Sequence, residues 1–523
     1  MRFPSPGQIF GHMRSHPILS VIAVLGVAAI LKGVYNLTAE LSIQMAAQLE
    51  PDAKIYVAGG RALLNGVHLY AELFENKPPL IFLLTAFSLV VTGTQTVAAA
   101  VQVFALAVLA AVFPIFFFHA SRGLPSRHRF FRTMTGLLLG LCIARYTAVN
   151  AGYIQTESLG GIAGVIYLLL LAIPECMSGV RRMMALGALL FIAGAMKEPI
   201  VLVTVVTSFL FIRDLQQFKV DVAIPCAIAG VIGALLLITF GALGDYLRIY
   251  LPHMLLTHVE MRGSPLARAF GIDRLVIDLW NFSPLLCLGL IIIAAVLLWN
   301  AIAGRQRPLW MIVVYAVSVA LITSFVVGLG GQYYPHHFIF ALPFYAGLCF
   351  AWTIGDQDDV TQSWSSPALL LVVIFLSLGL LMQPLRRGIW TEPFWHGEME
   401  AKHRDAAAQF DRMMDACAYD RYLAFGADTE DLWAYSLHTP YSAAFTTYRL
   451  DLTQTEQQFA DMATEQFGQA PLIILHPSFR DRLSKMMGAE LDAAFSPNAP
   501  ACAASFMPLK DGLGNPYIVL FHR

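Results

Sequence analysis

YVAGGRALLNGVHLYAELFENKPPLIF, from Tyr56 to Phe82, sets a polar, glycine-punctuated stretch ending in Lys77-Pro78-Pro79 between apolar segments. Its setting decides the fold. Hydrophobic residues make up 57% of the 523 residues and charged residues 13%, and the mean hydropathy is +0.63. Such a chain cannot surround one core with a polar shell. Apolar runs long enough to cross roughly 30 Å of hydrocarbon recur from Pro17 to Met382. They are too long and uniform for barrel strands, and helices satisfy their own backbone in lipid. The expected fold class is an all-α polytopic membrane bundle.

Charge orients the bundle. Arg122, Arg127, Arg129 and Arg132 cluster in one short loop, Arg181 with Arg182, Arg213 with Lys219, and Arg305 with Arg307 in others. The positive-inside rule makes these loops cytoplasmic. The polar segments 35–78, 148–157, the turn near 197, 243–281 and 329–337 then face the other compartment. The run from Pro79 to Val91 is short of the ~20 residues a crossing needs, and a crossing there would put the four-arginine loop outside. It is expected to lie as a helix on the outer surface. About eleven crossings remain, near 17–34, 96–118, 133–150, 158–174, 183–197, 198–212, 221–242, 283–300, 309–328, 337–354 and 367–383. They put the N-terminus inside and the C-terminus outside, with the first run, after Arg2 and Arg14, read as a retained signal anchor.

The composition divides the chain into a membrane domain, 1–383, whose first outer loop is 35–78, and a small extracytoplasmic α/β domain, 384–523. In the latter, RYLAFG (421–426), PLIILH (471–476) and PYIVLFH (516–522) read as strands, and 428–436 as a helix. The net charge of −1 points to no nucleic-acid partner. The seven cysteines make no metal-binding spacing. Five of them, Cys142, Cys176, Cys226, Cys287 and Cys349, lie in or beside apolar runs as small core residues, and Cys417 and Cys502 could pair if their region is outside.

Within the first outer loop, an amphipathic helix is expected from about Asp52 to Leu64, stopped by Asn65-Gly66. A carboxylate and a lysine at the lipid interface suit chemistry on an anionic, lipid-linked substrate, although Lys77 could equally be a snorkelling anchor and Asp52 a helix cap. Asp52, Tyr56, Arg61, Leu64, Gly66, Tyr70, Phe74, Lys77, Pro78, Pro79 and Leu80 together resemble the first outer loop of the GT-C membrane glycosyltransferases. The resembling branch holds protein O-mannosyltransferases and lipid A aminoarabinose transferases. Many members carry Asp-Glu where this chain has Asp52-Ala53, with Glu50 two residues earlier.

The resemblance implies transfer of a sugar from a polyprenyl phosphate donor to a lipid, glycan or protein acceptor, at the outer face of a bacterial cytoplasmic membrane. It implies Asp52 as base or acceptor-orienting group and Glu157, at the outer start of a helix in YIQTESLGG, as a supporting acid. Arg61, Tyr70, Lys77, Lys197 and Glu198 (in GAMKEPIV) and Tyr334, His336 and His337 (in GGQYYPHHF) would contact donor phosphate or sugar. A divalent cation, Mg2+ or Mn2+, would be held if Asp52 and Glu157 converge, since two carboxylates and a phosphate make a hard oxygen site. Adjacent histidines on a helix point about 100° apart, so joint ligation by His336 and His337 is awkward. A basic outer loop carrying Arg248, Arg262, Arg268 and Arg274 could cover the phosphate. The competing reading is a transporter or flippase of a lipid-linked sugar, which would place charges at the membrane midplane.

Overall fold

The computed structural model describes residues 17–46, 51–73, 77–152, 154–252, 254, 268–303, 309–329, 333–355, 365–385, 391–425, 430–441, 465–475, 477, 480 and 489–523. Helix α1 (Pro17–Ala46) runs well past the expected end of the first crossing at 34. The extension is built on Asn36, Glu40 and Gln44, spaced four apart and all buried. Asn36 donates to the Pro384 carbonyl (3.3 Å) and Gln44 to that of Ala148 (2.7 Å). What hydropathy reads as the start of a polar loop is the inward stripe of a helix, which continues to Ala46.

Helix α2 (Pro51–Leu64) opens on proline, whose fixed φ suits a first turn. It ends before Gly66, which takes the left-handed φ of 77°. Helix α3 (Pro79–Thr92) packs directly on it. At Gly60 a Cβ would lie 2.5 Å from Thr85 Oγ1 and 2.6 Å from the Ala86 nitrogen, so only glycine lets the two backbones approach. The Thr85 hydroxyl donates to the Tyr56 carbonyl at 2.7 Å and closes the pair. Ile81 and Phe82 of α3 are buried, and its 14 residues are fewer than a crossing needs.

The bundle continues through α4 (Thr96–Ala120), α5 (Ser126–Ala151), α6 (Thr156–Ala172), α7 (Gly179–Met196), α8 (Glu198–Ser208) and α9 (Leu215–Thr239). The amphipathic α10 (Ile272–Phe282) leads into α11 (Pro284–Ala303) and α12 (Leu309–Val327). A 3-10 turn (Pro335–Ala341) opens onto α13 (Leu342–Gly355), followed by α14 (Ser365–Met382). Seven helices among the described residues are long and apolar enough to cross a membrane, and shorter apolar helices, α6, α8 and α14 among them, pack between them. The protein is a polytopic helical membrane protein. Of the basic outer loop, Arg262 lies outside the described residues, and Arg268 is buried with a hydrogen bond to the Leu329 carbonyl (3.0 Å).

Beyond the bundle, α15 (Thr391–Ala416) leads to a five-stranded sheet of order β2-β1-β3-β5-β4. In chain order these elements are β1 (Arg421–Phe425), α16 (Glu430–Tyr435), β2 (Thr439–Pro440), β3 (Leu472–Leu475), α17 (Ala489–Ala494), β4 (Phe495–Ser496) and β5 (Ile518–His522). β1 pairs in parallel with β2 and β3, whereas β5 runs antiparallel to β3 and β4. The three strands read from sequence are β1, β3 and β5. A disulfide joins Cys417, just after α15, to Cys502.

Candidate active site

Asp52 and Tyr56 stand one turn apart on α2 and share a face. Lys77 arrives beside them on the extended segment before α3, with Pro78 at φ −65° and ψ 161°. Its Nζ lies 3.2 Å from Asp52 Oδ2 and 5.6 Å from the centroid of the Tyr56 ring. Tyr70 is buried at the left-handed φ of 69°, and its hydroxyl donates to the Lys77 carbonyl at 3.2 Å. Its ring packs on Tyr250 and Tyr246, at centroid distances of 4.7 and 5.6 Å. Tyr70, expected as a substrate contact, is buried here and fixes the main chain that carries Lys77.

A second ion pair lies alongside. Glu157, in the first turn of α6, is fully buried and accepts from the Thr156 hydroxyl at 2.8 Å. Lys197 Nζ is 3.4 Å from its Oε1. Lys197 occupies the break between α7 and α8, extended at φ −162° and ψ 106°. Pro199, two residues on, and Glu198 at the helix start fix that break. Glu198 turns to the Tyr250 hydroxyl, which donates to it at 2.7 Å. His336 and His337 sit in the 3-10 turn with perpendicular rings 4.6 Å apart, and Tyr334 contacts both at 5.6 and 5.5 Å.

These groups share one electrostatic field. Burial pushes the Asp52 carboxyl up, Lys77 and His336 pull it down, Glu157 pushes it up, and the balance lies below the usual carboxylate range. Glu157 in turn faces Lys197, Lys77, His336 and His337. Exposure separates the two acids. The Asp52 side chain is 29% exposed and that of Glu157 0%, so Asp52 is the carboxylate open to the site's surface, and Glu157 is the buried counterion of Lys197.

Arg61 does not join the cluster. Nine positions separate it from Asp52, and at about 100° per residue that is half a turn, so the two point to opposite sides of α2. Its guanidinium donates to the carbonyls of Trp433 (3.1 Å) and Ala434 (2.9 Å). Tyr56 was missed as a site residue despite standing in the quoted motif. The i, i+4 relation to Asp52 is the signal that finds it. Tyr246 and Tyr250, also spaced by four, carried no comparable mark in the sequence.

The donor set suits a phosphate better than a metal. Each carboxylate already holds an ammonium, and the lysine charges beside them oppose a dication. Among the described residues no three His, Cys, Asp or Glu side chains are grouped to hold a metal ion.

The sequence matches no protein-family profile, and no curated protein matches it significantly. Solved structures do resemble it. The crystal structure of ArnT from Cupriavidus metallidurans bound to undecaprenyl phosphate superposes with a TM-score of 0.51 at 15% identity, over 95% of this chain and 97% of that one. The same protein in the apo state gives 0.50 at 16% identity, over 96% and 98%. At such identities the likeness is one of fold, and over nearly its whole length the chain has the fold of the ArnT structures.

Proposed function

We propose that the protein transfers a sugar from a polyprenyl phosphate donor to an acceptor at the outer face of a bacterial cytoplasmic membrane. The observation that carries the reading is the partly exposed Asp52 paired to Lys77, with the Lys197–Glu157 pair alongside. A reactive carboxylate flanked by two ammonium groups suits a reaction in which a phosphate leaves. The binding of undecaprenyl phosphate by the ArnT structure of the same fold supports that donor class. The arginine-rich short loops and the Cys417–Cys502 disulfide support an orientation with the C-terminal domain outside, where disulfides persist.

In the reaction, the acceptor hydroxyl or amine gives its proton to Asp52 as its lone pair forms a bond to the anomeric carbon. The bond from that carbon to the phosphate oxygen breaks, and its electron pair leaves with the phosphate. Lys77 and Lys197 neutralise the departing charge, the role a cation would otherwise fill. His336, His337 and Tyr334 line the same mouth and suit contacts to the sugar or phosphate.

The test is transfer by purified protein from a panel of labelled polyprenyl phosphate sugars to envelope acceptors, comparing wild type with Asp52→Asn. A loss of about 10²- to 10⁴-fold in a folded variant is expected for a missing base. A wild-type protein that transfers nothing but moves labelled lipid between leaflets would replace this reading with a flippase.

A further inference from the structure

The face of α2 opposite Asp52 is held by the C-terminal domain. Lys54, Arg61 and Asn65 follow one another at helical spacings of seven and four, on one side of the helix. Lys54 Nζ lies 2.8 Å from Asp431 Oδ1, and Asp431 Oδ2 lies 2.8 Å from His403 Nδ1. All three are buried, with side-chain exposures of 11%, 9% and 4%. Arg61 spans the two successive carbonyls of Trp433 and Ala434, and Asn65 Nδ2 donates to Thr439 Oγ1 at 2.7 Å. The grip comes from α15, α16 and β2, more than 300 positions further along the chain.

Stability is a poor explanation for burying these charges, because desolvation offsets much of the attraction; fixing a unique arrangement is their best-attested use. Here the arrangement fixed is the rotation of α2 about its axis. A helix with side chains is about 10–12 Å across, so a roll of about 20° would carry the Asp52 carboxylate ~2 Å. A displacement of ~1 Å at a reacting group can cost ~100-fold in rate.

We infer that the C-terminal domain is a positioning device for Asp52, acting through Asp431 on Lys54 and through the Trp433 and Ala434 carbonyls on Arg61. The inference rests on the transferase reading. Asp431, Lys54 and Arg61 touch neither donor nor acceptor; they set the angle at which the base meets the acceptor.

The test measures kcat, KM and affinity for undecaprenyl phosphate in full-length Asp431→Asn and Arg61→Lys. The expected result is a fall in kcat of about 10- to 100-fold, with KM and phosphate-lipid affinity unchanged. The paired variant Cys417→Ser, Cys502→Ser is the control. It weakens the same domain about 20 Å along α15 from His403, and should lower the unfolding midpoint while kcat holds. If both charged variants unfold, Thr439→Val removes one hydrogen bond at the end of α2 and should lower kcat several-fold on its own. Full kcat in the grip variants, or loss only in step with the unfolding midpoint, would overturn the inference while leaving wild-type transfer intact. A wild type without transfer would remove the transferase reading and this role together.

Discussion

Asp52 and Lys77, 25 positions apart, meet as an ion pair at 3.2 Å because α2 and the extended segment before α3 converge on one point. Lys77 and His336 hold the Asp52 carboxyl below its ordinary value of 3.8 against the effect of burial. A base must be ionised to work, so the acid limb of the wild-type pH–rate profile lies below that value. In Lys77→Met the largest lowering influence is gone, and burial and Glu157 push the carboxyl up against His336 alone. The acid limb should therefore move to higher pH, on top of a loss of at least ~100-fold in rate from the missing charge at the leaving phosphate. A pH–rate profile of the residual activity checks both effects, and an unmoved limb would sink the assignment of Asp52 as the titrating base.

Glu157 and Lys197 are buried partners, so removing one strands the other. Glu157→Gln should destabilise the protein by about 3–5 kcal/mol, the usual cost of an uncompensated buried charge. Adding Lys197→Met should recover most of the unfolding midpoint without restoring transfer, because the ammonium that faces the phosphate is then gone. Thermal unfolding in detergent beside transfer rates separates the two roles. If the double variant regains activity, Lys197 has no part in the chemistry.

The membrane bundle was legible because burial in lipid demands long apolar runs, and the run from Pro79 was legible as a short helix because Gly93 stops it early. Asp52, Lys77, Glu157, Lys197 and the histidine pair were marked by charge appearing at one end of otherwise apolar segments. The extension of α1 was hidden because Asn36 and Gln44 satisfy their polarity against Pro384 and Ala148, partners far away in sequence. Arg61 was misplaced for a simpler reason. A motif lists residues along a line, whereas a helix distributes them around a circle, and only the nine-residue offset from Asp52 shows that Arg61 must face away. β2 and β4, two residues each, are too short to carry a pattern of their own.

The proposed roles of Lys77 and Lys197 at the phosphate make a prediction about chelators. Transfer should survive excess EDTA within about twofold, since Lys77 and Lys197 supply the positive charge at the phosphate. Rates measured after EDTA and again after added Mg2+ or Mn2+ decide it. Loss with EDTA and recovery with one ion would mean that the cation displaces Lys77 from Asp52 when donor binds.

The grip on α2 has its own pH signature. Burial raises the Asp431 carboxyl, but the contacts with His403 and Lys54 outweigh it and hold the group below its ordinary value of 3.8. A carboxyl lowered by folding contributes stability that is fully present above the unfolded value and is lost as pH falls through the folded one. The unfolding midpoint of wild type should therefore exceed that of Asp431→Asn at neutral pH and keep its margin down to about pH 4. The margin should close at more acidic pH, as Asp431 takes up a proton and lets go of Lys54. A margin that is absent at neutral pH, or that persists unchanged in strong acid, would show that the ionised Asp431 carboxylate is not the group on which the grip depends.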